Sequence, residues 1–134
     1  MTFLRYTALA FALSAAAFGT AMAQAASEFP FGAEMTLDAA PQPGSKKIPT
    51  LEIGDRGEAL LDLWCKSGKG QFSVANDTVI FVPGAMTDRD CTPARSQADD
   101  ALVATLSDAA TWKRQGDFLS FVGAKSLRFR INTN

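Results

Sequence analysis

The chain reads as an α+β domain rich in β-structure, an antiparallel meander with one packed α-helix, and three stretches predict it. Near the C-terminus, Leu127, Phe129 and Ile131 alternate with Arg128 and Arg130, the pattern of a strand with one buried and one wet face. Residues 78–82 (TVIFV) are β-branched and aromatic, which favours strand over helix. The one strong helix signal is Thr92-Pro93, an N-cap and a first-turn proline, followed by Ala98, Leu102, Thr105 and Leu106 at helical spacing over about residues 93–106.

Taken in order, the chain opens with Arg5 as its only early charge, an apolar run over residues 8–18, and Ala21-Met22-Ala23. That is the pattern of a secretory signal peptide, residues 1–23, with cleavage expected after Ala23. The run is short and alanine-rich for a membrane span of about 20 apolar residues, so an uncleaved anchor is the weaker reading. What remains, residues 24–134, carries 12 Lys plus Arg against 14 Asp plus Glu, and its length suits a single domain. A slightly acidic balance gives no global attraction to nucleic acid or anionic membrane. The expected protein is a monomer in the periplasm or secreted medium, soluble and not membrane-spanning.

Residues 34–37 suit a strand, and AAPQPGSKK after them a loop. Residues 48–53 (IPTLEI) suit a strand start or edge because of Pro49. Gly54-Asp55-Arg56-Gly57 reads as a turn into a strand over residues 58–65, with Ala59, Leu61, Leu63 and Cys65 on a core face and Leu60, Asp62 and Trp64 opposite. Residues 66–70 then read as a turn, 71–74 as a strand, and Asn76-Asp77 as a turn into 78–82. After the helix, residues 111–114, 118–122 and 127–131 form three short strands, which completes the meander.

Cys65 and Cys91 are the only cysteines, and in an exported chain an even count defaults to a disulfide. A free thiol pair is the alternative. A redox or metal role is disfavoured, since the spacing is far from C-x-x-C and there is no histidine. The cluster KSGKG lacks the glycine and hydroxyl positions of a phosphate loop and joins strands instead of opening a helix. Absence of histidine also removes Ser-His-Asp and Cys-His catalysis. Asp88, Asp90, Asp99 and Asp100 read as solvated loop and helix-face carboxylates, with a calcium site the minor alternative. No catalytic residue, metal or cofactor is expected. Lys113, Arg114, Arg128 and Arg130 are candidates for a basic stripe that docks a partner, against the plainer reading of outward charges that keep an edge soluble. Trp64 is either packing or a partner anchor.

The order of a strand ending in cysteine, the hairpin GQFSVANDTVIFVPG, AMTDRDC, the helix PARSQADDALVATL and the meander TWKRQGDFLSFVGAKSLRFR resembles the META domain, or HslJ-like, family over about residues 59–131. The chain departs from it in reading Trp64-Cys65-Lys66 where the family has Gly-Cys-Asn, and in the order of Met86 and Thr87. The resemblance implies a partly open, barrel-like sheet with one helix, exported to the bacterial envelope, and similar in fold to lipid-binding pilot proteins. It further implies a non-enzymatic accessory or binding role, related to stress or antibiotic tolerance, with an unknown protein or lipid-like ligand as partner. A structural envelope protein that docks a partner through its outer sheet is the alternative.

Overall fold

The computed structural model describes residues 28–133. The signal peptide expected over residues 1–23 lies outside them. Eight strands and one helix follow one another as β1 (Glu34–Leu37), β2 (Thr50–Ile53), β3 (Glu58–Asp62), β4 (Ser67–Ala75), β5 (Thr78–Thr87), α1 (Pro93–Asp108), β6 (Thr111–Gln115), β7 (Phe118–Val122) and β8 (Ser126–Ile131). Each strand pairs antiparallel with its sequence neighbour, and β1 pairs with β8 to close the ring. The seam between β5 and β6, where α1 is inserted, has a single registered pair, Thr78 with Thr111. The expected β-rich α+β meander with one helix is what forms.

Alternation decides which residues enter the ring. Met35, Leu51, Ile53, Leu61, Val79, Leu119 and Phe129 are buried within it, and their immediate neighbours in the strands face outward. Phenylalanines fill the centre. Phe72 stacks on Phe81 at 4.5 Å, Phe121 lies 5.5 Å from Phe72, and Phe129 meets Phe121 edge-on at 5.8 Å. At one end Phe29 packs edge-on against Trp112 at 5.1 Å, and the Trp112 indole donates to the Asn76 carbonyl. The interior is a packed core.

Two stretches differ from the sequence expectation. Residues 66–70 are not a turn, because Ser67–Gly70 belong to β4, and the chain turns earlier, at Leu63–Lys66. Glycine is usually a turn signal, but here it serves packing: a side chain on Gly70 would meet the Phe81 ring. The strand β3 accordingly stops at Asp62, and Trp64 and Cys65 sit in the bend instead of on opposite strand faces. The second difference is the length of β5, which runs through Pro83 and Gly84 with a register shift opposite Gly68 and Gly70. Gly57 does serve a turn. Its φ of 81° is the left-handed region, and a Cβ there would collide with the Phe72 carbonyl.

The helix begins as its sequence predicts. Thr92 Oγ1 accepts from the Arg95 amide, and Pro93 occupies the first helical position. Its buried face is Asp99, Leu102 and Leu106. No helix among the described residues is long and apolar enough to cross a membrane.

Candidate functional site

The chemistry-bearing residues gather at the bend between β3 and β4. Asp99 is fully buried, against the expectation of a solvated helix face. Its carboxylate accepts three backbone N–H groups: Trp64 at 2.9 Å, Cys65 at 2.8 Å and Lys66 at 2.6 Å. A bend of this tightness points successive amides inward without strand partners, and one carboxylate satisfies them all. Asp99 shares a line with Leu102 and Leu106, three and seven positions on, so a polar residue within an apolar helical stripe was the signal for it.

The disulfide joins Cys65 to Cys91 with Cα atoms 5.8 Å apart, and the described residues hold no free cysteine. Cys65 is buried, and Cys91 stands just before the helix N-cap. Lys66 reaches back to the helix: its Nζ lies 2.8 Å from Asp100 and 3.5 Å from Asp88. The hydrogen bond to Asp100 is the main cause that raises the Lys66 ammonium above its ordinary value of 10.5. Partial desolvation opposes it, and the Asp100 and Asp88 charges add to it. A raised folded-state value means that any stability from this pair is complete below 10.5 and is lost only as pH climbs past the folded value. Lys66 is therefore a charged tie at neutral pH.

Beside the bend lies a groove of about 370 Å³ between α1 and β8. Leu37, Trp64, Ala101, Leu102 and Leu127 line it, with Arg128 and Asp38 at its rim. Arg128 pairs with Asp38 through two of its nitrogens and lies over the Phe118 ring, 4.7 Å from its centroid. Trp64 is partly buried against the core, and its Nε1–H is buried with no hydrogen-bond partner among the described residues.

The four basic candidates are divided by the strand pleat. Lys113, Ser120 and Arg128 lie in one cross-strand row over β6, β7 and β8, and Arg130 shares that outer face. Arg114 is in register with the buried Leu119 and Phe129, on the other side of β6, and donates to the carbonyls of Gly116 and Glu28. No group of three or more acidic or cysteine side chains suited to a metal occurs among the described residues.

A ring of eight antiparallel strands around an aromatic core, with one helix tied to a β-bend by a disulfide, defines a small β-rich α+β domain. The family model described as the META domain matches residues 17–132, and the chain belongs to that family. A protein solved by NMR is similar in fold, with a TM-score of 0.60 and 17% identity over 75% of this chain and 89% of that one. No curated protein matches.

Proposed function

We propose that this protein is a non-enzymatic accessory or binding module of the bacterial envelope, which takes an apolar, lipid-like or peptide ligand in the groove between α1 and β8. The observation that carries it is the apolar wall of that groove, formed by Leu37, Leu102, Leu127 and the partly buried Trp64 indole, whose Nε1–H has no hydrogen-bond partner among the described residues. A ligand with an apolar body would cover that wall, and a carbonyl or ester on it would meet the indole N–H once the Trp64 ring turns toward the groove. The phenylalanine core leaves the ligand site at the surface of the ring. Export to an oxidising compartment fits the Cys65–Cys91 bond. The role in stress or antibiotic tolerance that the family resemblance implies is part of the same proposal.

Native mass spectrometry of protein isolated from a periplasmic extract is expected to show a co-purifying ligand. Filling the groove with Ala101→Trp is expected to remove it while the melting temperature is held. An extract that yields neither ligand nor partner would sink the proposal.

A second reading has its own observation in its favour. Lys113 and Arg130 share the outer face of β6–β8 and make no ion pair among the described residues, so this face can dock an acidic protein. Reversing both to glutamate is expected to abolish partner capture at unchanged stability, and intact capture would exclude this reading.

A further inference from the structure

Four large apolar side chains are exposed among the described residues, and three of them lie on one outer face: Leu60 at 50%, Ile80 at 64% and Val82 at 59%. Register places them on either side of β4. Leu60 on β3 faces Glu52 on β2 and Lys69 on β4, while Val82 and Ile80 on β5 face Gln71 and Ser73 on β4. Scattered exposed apolar residues are ordinary, but here three share one outer face, on the two strands that flank the polar β4 row of Lys69, Gln71 and Ser73.

Carboxylates lie on the β1–β3 side of that face. Glu34 stands directly across from Glu52, and Glu58 is in register with Gln71, which in turn faces Val82. Like charges opposed across neighbouring strands destabilise the sheet, and no ion pair among the described residues relieves Glu34, Glu52 or Glu58. Asp62 is already held by Lys47 at 2.7 Å. A trough of about 670 Å³ lies beside Leu60 on this face, lined by Glu34, Glu52, Gly68 and Lys69, with Ile80 and Val82 outside it. Lys69 is the one cation lining it among the described residues, and Arg89 stands beside it, donating to Ser67 and 4.0 Å from Asp62.

We infer that the outer face of β1–β5 docks a cationic segment of a partner protein, one that carries lysine or arginine together with apolar side chains. Charge complementarity selects this occupant. The carboxylates repel an anionic lipid surface, and a symmetric second copy would set Glu52 against the same carboxylates. This surface is distinct from the α1–β8 groove and meets the basic face of β6–β8 at the β1–β8 seam, where Thr36 is in register with Arg130.

The test uses two fluorescent twelve-residue peptides, one in which lysines alternate with leucine and serine, the other with glutamate in place of lysine. Fluorescence anisotropy is expected to show binding of the lysine peptide alone, weakened by salt. Glu52→Lys is expected to weaken it about tenfold, and the pair Leu60→Ser with Val82→Ser by a similar factor. Asp117→Lys, an equal change of charge on the turn between β6 and β7, is expected to leave affinity within about twofold. Melting temperature checks that each variant is folded. Equal binding of both peptides, or an equal loss in Asp117→Lys, would overturn the inference. So would self-association by sedimentation that Glu52→Lys abolishes.

Discussion

Replacing Asp99 by alanine is expected to lower unfolding free energy by about 3 to 5 kcal/mol, read from urea denaturation. The carboxylate is fully buried and is the acceptor for three consecutive amides, so its removal strands the N–H groups of Trp64, Cys65 and Lys66 at once. One buried donor left without a partner costs roughly 1 to 3 kcal/mol, and local rearrangement with water entry keeps the total below a simple multiple. Asparagine separates charge from geometry. It retains one oxygen, which can serve Cys65 and Lys66 where Oδ2 does now, but sets an NH₂ against the Trp64 N–H, so Asp99→Asn is expected to lose part of the same stability. A loss below about 1 kcal/mol for Asp99→Ala would mean that the bend holds its shape without the carboxylate.

Opening the disulfide has the next largest effect. Reduction, or Cys91→Ser, is expected to cost about 3 to 4 kcal/mol in the chain-entropy model, because the bond closes a loop with a sequence separation of 26. For a domain of this size the fall in melting temperature is roughly 15 °C or more. An unchanged melting temperature in excess reductant would refute a structural role. The two effects are coupled, since Asp99 and the disulfide both hold the 63–66 bend to the beginning of α1. A double variant is therefore expected to lose less than the sum, with an interaction energy of about 1 kcal/mol or more.

Those two residues also mark where sequence reading succeeded and where it failed. Cys65–Cys91 followed from the cysteine count and the expected export, and the inward face of β8 followed from strict alternation at Leu127, Phe129 and Ile131. Thr92-Pro93 located the helix start because capping is a local interaction. Asp99 was missed because its partners are amides more than thirty positions away, and its buried place on the helix was outweighed by the ordinary preference of aspartate for water. Gly68 and Gly70 misled for a related reason: what makes them glycine is Met86 and Phe81 on the next strand. The apolar patch was equally hidden. Leu60, Ile80 and Val82 read as ordinary strand residues, and only the cross-strand register shows that they share a face. The division of Lys113 from Arg114 was legible in principle, since adjacent strand residues point opposite ways.

The pairing of β1 with β8 gives the domain a distinctive chain topology. Every other strand pairing joins neighbours in sequence, so the order around the ring is the order along the chain. The first and last strands are the exception. Thr36 and Asn132, bonded through their side chains at 3.0 Å, are 96 positions apart. Loop-closure entropy rises with the length of chain enclosed, so the β1–β8 pairing carries much of the conformational cost of closing the circle, while the hairpins on either side form from nearby residues.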